Sequence, residues 1–229
     1  MSALALLLAD SRFPGGGHAH SGGLEEAAAR GLVRTEADLP GFLSGRLRTA
    51  GALSAVFAAA AAHAAARRAD IWSTLDMELD ARTPSAAQRS ASRAQGRATA
   101  RAASVMVVPT VDNGCGSPLR VLLAATPRPH HAIVLGVVAG VPFDAALVAA
   151  YLSVSGPASA AVRLLGLDPL RVNACVAGLA ARTHAVAAGA ADHAALDPAL
   201  LPAPGAPGLD LLAEEHDRHH REEVRLFAS

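Results

Sequence analysis

The chain has 229 residues, is 52% hydrophobic and 3% aromatic, and balances twenty basic against twenty acidic side chains with no lysine among them. A disordered chain would be poorer in apolar residues and richer in net charge, and a general nucleic-acid binder would need a cationic footprint to displace counterions. Without lysine there is neither a Walker-type phosphate loop nor Schiff-base chemistry.

The first nine residues are apolar but lack a basic flank, and Asp10-Ser11-Arg12 ends them at once, which is too short and wrongly flanked for a signal peptide. Pro14 and Gly15-Gly16-Gly17 then form a flexible turn, and Ser21 opens a helix whose first turns carry Glu25 and Glu26, where carboxylates complement the helix dipole. Asp38 caps a stretch in which Leu39, Phe42, Leu43, Leu47, Leu53, Val56 and Phe57 recur at helical spacing. A charged break at Arg67-Arg68 precedes a second periodic run through Ile71, Leu75, Met77 and Leu79. Ser85 opens an Ala/Arg helix reaching about residue 106, with Arg89, Arg93, Arg97 and Arg101 along one face.

Residues 107–118 read as a loop. Further helices are expected over 119–125, 130–139, 143–155, 158–165 and 169–187, each set off by Gly or Pro. An extended connection over 196–208, with four prolines, leads to a final amphipathic helix from 209 to about 225. The β-like runs, 105–108 and 133–138, are short and isolated, so a sheet has little to be made from. The expectation is a single all-α, bundle-like domain over 1–229, of roughly eight to ten helices. Alanine, about a quarter of the chain, then acts as packing material, since small side chains let helix axes approach closely. The longest weakly polar run, 50–66, is mostly Ala, which gains little in lipid, and 132–141 is too short to span a bilayer. No membrane segment is assigned, and cytoplasmic location is the default. Cys115 and Cys175 form no CxxC pair and read as free thiols in a reducing compartment.

Seven of the ten histidines cluster, as His18/His20, His130/His131 and His216/His219/His220. On a helix His216 lies one turn from both His219 and His220, a spacing that can hold a divalent metal, but no HExxH occurs, and solvated or interface histidines are the competing reading. Ser21 beside His20 has no nucleophile elbow around it. Asp10, Glu25 and Glu26 have no evident partner arranged for acid–base work, and the glycine run is no dinucleotide fingerprint. The residues therefore suggest no active site. The arginine face reads either as a solvated surface or as a contact for phosphate or an acidic partner, with net neutrality against nucleic acid.

The glycine-rich segment, about 10–24, follows a pattern close to L-x-L-A-[SD]-x-x-[LF]-P-x-G-[GS]-x-x-x-S-x-G-L-E. Leu8, Ala9, Asp10, Phe13, Pro14, Gly16, Ser21, Gly23, Leu24 and Glu25 all fall on it. Further along, Ser159-Ala160-Ala161-Val162-Arg163-Leu164 fits an S-[AS]-A-V-R-[LI] helix. Leu209-Asp210-Leu211 with His216-Asp217, and the ending Arg225-Leu226-Phe227-Ala228-Ser229, complete a set of motifs in fixed order. In these features the chain resembles the UreF family of urease accessory proteins, departing from it in having His18 and His20 where many members carry aromatic residues.

The resemblance implies a non-enzymatic chaperone in assembly of the urease nickel centre. Such a protein forms a homodimer, binds a UreD/UreH-type accessory protein, recruits a UreG-type GTPase and serves apo-urease. Nickel is then the metal handled by the complex, and no cofactor is held stably. By the same resemblance the partner-binding residues are Asp10, Pro14, Gly16, His20, Ser21, Leu24, Glu25, Arg163, Arg225, Leu226, Phe227 and Ser229, within the glycine-rich segment and the C-terminal helix and tail of about 209–229. The alternative is a carrier that binds nickel directly through His216, His219 and His220.

Overall fold

The computed structural model describes residues 1–106 and 117–219, and among them every regular element is helical. In chain order these are α1 (Ala3–Ala9), α2 (Leu24–Ala29), α3 (Leu39–Arg67), α4 (Trp72–Ala81), α5 (Ala86–Met106) and α6 (Pro118–Ala125). Then follow α7 (His131–Ala139), α8 (Pro142–Leu165), α9 (Pro169–Gly178), α10 (Ala180–Asp192) and α11 (Pro207–His219). The all-α expectation is met, with eleven helices among the described residues.

The core is organised around α7. Every residue from Ala132 to Ala139 is buried, so this helix is apolar all round, as a helix enclosed on all sides must be. The long helices α3 and α8 pack on it and on each other, α5 closes another side, and α10 lies along α8. The run 133–138 that reads as β-like is thus a core helix; its β-branched residues are accommodated because burial on every face outweighs a small propensity difference. It ends at Gly140 in the left-handed conformation.

Small residues set the spacing between α7 and α3. A Cβ placed on Gly136 would collide with the Ala58 carbonyl oxygen and lie 2.6 Å from the Ala61 Cβ. The facing stretch of α3 buries every residue from Ala55 to Ala62, so backbone meets backbone with methyl groups alone between them. Gly96 has the same function where α5 meets the Pro129 carbonyl oxygen.

Four boundaries differ from expectation. Residues 143–165 form one helix, α8, which runs through Gly156 and Pro157 without a break. The expected helix over 169–187 is instead two, α9 and α10, bent by 44° at Gly178-Leu179 and reaching Asp192. Asp38 stands at the start of α3, yet its side chain accepts from the backbone N–H groups of Arg34 and Thr35 and from the Thr35 hydroxyl. It therefore closes the preceding turn rather than capping the helix ahead. Ser21 precedes α2 by three residues, and its hydroxyl accepts the Glu25 N–H at 3.3 Å.

A π-helical turn at Leu47–Gly51 lets α3 continue from Leu39 to Arg67. Among the described residues, α3 and α8 are each long and apolar enough to cross a membrane by length and composition, and α9 with α10 would add a third span if that bent pair is one. About two thirds of the apolar window in each is buried against other helices of the same chain, 67% in α3 and 61% in α8. The loop read over 107–118 falls almost wholly outside the described residues, as does Cys115; Cys175 is a half-buried free thiol.

Substituting Gly136→Ala places a methyl group against the α3 backbone. Overpacking of this kind should lower the unfolding free energy by about 1–3 kcal/mol, read as a lower urea midpoint. An unchanged midpoint would show that α3 and α7 separate without cost.

Candidate functional site

The glycine-rich segment turns back on itself and lies across α3 and α8. Gly22 adopts φ +64°, and a Cβ there would sit 2.7 Å from the Arg46 Cζ, so glycine is required both for the turn and for the arginine beneath it. Arg46 leaves α3 just before the π turn. It donates from Nη1 to the Gly22 carbonyl oxygen at 2.7 Å and from Nε to the Ser153 carbonyl oxygen at 3.0 Å. The second acceptor is open for a covalent reason: Pro157, four residues on in α8, has no N–H to give it. Arg46 thus supplies the hydrogen bond that the proline removes, which explains why α8 passes through Gly156-Pro157 intact.

Behind this arginine is a cavity of about 200 Å³. Its walls come from the glycine-rich segment (His20, Gly22), α3 (Arg46, Ser54), α5 (Gln88, Ser92, Gln95), α7 (His131), α8 (Ser153, Pro157) and α11 (Leu209, Ala213). Burial pushes the His20 imidazole down to about 4, helped by the positive charges of His18 and Arg46. His131 is also pushed down to about 4 by burial, with His20 as the secondary cause. Both are neutral at pH 7. Burial lowers Arg46 as well, to about 10, leaving it charged.

Beside the cavity, the two sequence regions singled out for partner contact meet. The α11 residue His216 is buried, with Nε2 3.9 Å from Glu25 Oε2 on α2. His219 lies 3.5 Å from Glu26 and 3.6 Å from Glu215. Arg30 bridges Glu26 at 2.7 Å and Glu215 at 3.1 Å. The Asp210 and Glu214 carboxylates of α11 reach the start of α5, taking the Ser85 hydroxyl, the Ala87 N–H and the Gln88 amide. A chain of carboxylates and cations therefore clasps α11 to α2 and α5.

The remaining predicted residues are placed as follows. Arg163 is exposed on α8 and donates from both terminal nitrogens to the His18 carbonyl oxygen at 3.2–3.3 Å, tying its motif to the glycine-rich segment. Leu24 is fully buried and anchors α2, and Ser21 is buried beside it. Pro14 is exposed and Gly16 half-buried at φ +76°. Asp10 ends α1 away from the cavity, where hydrogen bonds from the Arg12 side chain and backbone hold its carboxyl down to about 2. His220, Arg225, Leu226, Phe227 and Ser229 lie outside the described residues.

The arginine face divides. Arg89 donates to the Thr83 and Pro84 carbonyl oxygens, and Arg93 pairs with Asp76 at 2.8 Å and Asp80 at 2.6 Å. Arg97 and Arg101 are exposed. The Arg93 network also holds the buried His130, whose Nε2 lies 2.9 Å from Asp80 and Nδ1 3.0 Å from the Ser92 hydroxyl. Asp76, Asp80 and His130 offer ligand atoms within 4.8 Å of one another, but a guanidinium already neutralises both carboxylates, as in a closed structural ion network. Sequence reasoning did not find this cluster or Arg46. For the cluster, the i,i+4 carboxylates Asp76 and Asp80 were the available signal.

Fold and site together define a class: an all-helical protein whose N-terminal segment and last described helix are locked together over a polar cavity. Comparison with known proteins makes the class specific. The UreF family model matches residues 33–180. The chain is 44% identical over 225 residues to the urease accessory protein UreF of Mycobacterium sp. (strain JLS), covering 98% of this chain and 97% of that protein. It is 43% identical over 236 residues to the UreF protein of Mycolicibacterium vanbaalenii, covering 100% of each. The chain belongs to the UreF family of urease accessory proteins.

His20 and His131 make stability depend on pH. Their folded values of about 4 lie below the ordinary 6.5, so the unfolded chain binds protons in that window which the folded chain does not. Their contribution is complete above about pH 6.5 and is lost as pH falls toward about 4. Urea unfolding free energies should therefore drop from about pH 7 to about pH 5, and the drop should be shallower in His131→Gln. A profile identical in the variant would remove His131 from the account.

Proposed function

We propose that this chain is a non-catalytic scaffold for delivery of nickel to apo-urease, acting in the cytoplasm as a homodimer with a UreD/UreH-type protein and a UreG-type GTPase. Similarity to UreF proteins over nearly the whole of both chains carries this reading. The clasp between α2 and α11 fits it. The two regions assigned to partner contact lie side by side, so a partner touching one meets the other, and terminal elements are often ordered by a partner. For self-association, exposed Met1, Leu6 and Tyr151 border an apolar groove of about 560 Å³ between α1, α8 and α10.

The carrier reading needs histidines free to bind metal. His216 and His219 face carboxylates of α2 and α11, which favours their use in the clasp.

Co-expression with a UreD/UreH-type protein tests the scaffold. Wild-type chain should co-purify with it and support urease activation, and deletion of Arg225–Ser229 should abolish both. Binding that survives the deletion would count against the tail as a docking element. Calorimetry with nickel on the isolated chain tests the carrier: tight binding lost in His216→Ala/His219→Ala would replace the scaffold reading, whereas weak or absent binding supports it.

A further inference from the structure

The guanidinium that closes the Asp76/Asp80 cluster to a metal leaves His130 between a carboxylate and a hydroxyl. His130 Nε2 lies 2.9 Å from Asp80 Oδ1 on α4, and Nδ1 lies 3.0 Å from Ser92 Oγ on α5. Burial works against the Asp80 charge, yet hydrogen bonds from His130 and Arg93 hold its carboxyl below the usual carboxylate range. An ionised carboxylate only accepts, so Nε2 carries the ring proton and donates it to Asp80. Burial keeps His130 below its ordinary 6.5, and the ring is neutral at pH 7. Nδ1 then offers a lone pair, to which Ser92 donates its hydroxyl proton. Every bond in the row thus has one direction, from Ser92 to His130 to Asp80.

The backbone fixes this row in place. Asp76 Oδ1 accepts the His130 N–H at 3.1 Å, and Ser92 Oγ accepts the His131 N–H at 3.2 Å. Ser92 is half-buried and borders two cavities, of about 200 Å³ and about 70 Å³, that share Ser54, Gln88 and Ala132 as walls. The serine therefore meets a base on one side and open space on the other. Helix α7 begins at the same point, and the positive end of its dipole favours negative charge developing beside Ser92.

We infer that Ser92, His130 and Asp80 form a nucleophile, base and orienting carboxylate that hydrolyse small acyl esters. Ser92 Oγ bonds to the acyl carbonyl carbon while its proton passes to His130 Nδ1. The tetrahedral adduct collapses, the C–O bond to the leaving alcohol breaks, and the alcohol oxygen takes that proton. Water then attacks the acyl-serine with His130 as base, and the carboxylic acid leaves as Ser92 recovers a proton. Asp80 stays ionised throughout and steadies the imidazolium. The cavity of about 200 Å³ lies below the roughly 300–1,000 Å³ of sites for larger ligands, which limits the acyl group to a few atoms. The scaffold reading asks for no catalysis in nickel delivery, and this chemistry is separate from it, so either can fail without the other.

Turnover of p-nitrophenyl acetate by the full-length chain tests the inference. The wild-type rate should exceed that of free imidazole at equal histidine concentration, and Ser92→Ala should lower it by about a hundredfold. Ser104→Ala, at the exposed end of the same helix, should leave it unchanged. The rate should also fall as pH is lowered through the His130 titration, below 6.5. Asp76, Asp80 and Arg82, with Arg93 of α5 and Asp210 of α11, are the charged groups facing that ring. A fluorophosphonate probe, which bonds to an activated serine oxygen with loss of fluoride, should label the wild-type chain at Ser92, read by peptide mass spectrometry. If Ser92→Ala does not fold, that label decides alone. A rate no better than imidazole, an equal rate in a folded Ser92→Ala chain, or no label on Ser92 would each overturn the triad.

Discussion

The Arg46 guanidinium joins two places where the backbone has no partner of its own. At Pro157 the helix α8 lacks one N–H, and the Ser153 carbonyl that would have received it takes Arg46 Nε instead. In the glycine-rich segment, which lacks long regular structure, the Gly22 carbonyl takes Nη1. One side chain thereby fixes the N-terminal segment onto the long helices of the core. The segment in turn sets the position of α2, and α2 receives α11 through Glu25, Glu26 and Arg30. The cavity exists because these parts meet around the arginine rather than over an apolar surface.

Packing below this polar layer follows a different rule. Aromatic side chains are few, and the centre is filled by methyl groups, so axes must approach until backbone atoms touch. Gly136 and Gly96 stand at two of the closest places. A few larger side chains are enclosed with them, among them Trp72 on α4 and Leu39, Leu43 and Phe57 on α3. Alanine also has the best intrinsic helix propensity, so local preference and tertiary packing ask for the same residue along α3. Agreement between levels of this kind makes a single fold the favoured outcome.

The all-helical class was legible from periodicity and composition, and the family from spaced motifs. What could not be read is instructive. Gly156-Pro157 signals a helix break in any local reading, and its continuity depends on an arginine more than a hundred positions earlier. Residues 133–138 look like a strand because they are apolar and β-branched, but full enclosure makes that pattern uninformative. The arginine stripe on α5 reads as one surface, yet Arg93 is drawn inward by Asp76 and Asp80 while Arg97 stays outside. The histidine clusters were visible as clusters, but their neighbours were not. His131 shares a cavity wall with His20 from about half the chain away, and His216 meets Glu25 across most of it.

The gap at Pro157 also makes positions 46 and 157 interdependent. With proline present, loss of the arginine leaves a helix carbonyl without a donor; with alanine at 157 the helix supplies its own, and the same loss costs less. A substitution at one position therefore changes the meaning of a substitution at the other, although the residues are far apart in sequence. Their effects on stability are non-additive. Relatives that lack the proline are thus released from one of the two reasons to keep the arginine, and only the Gly22 contact would still hold it in place.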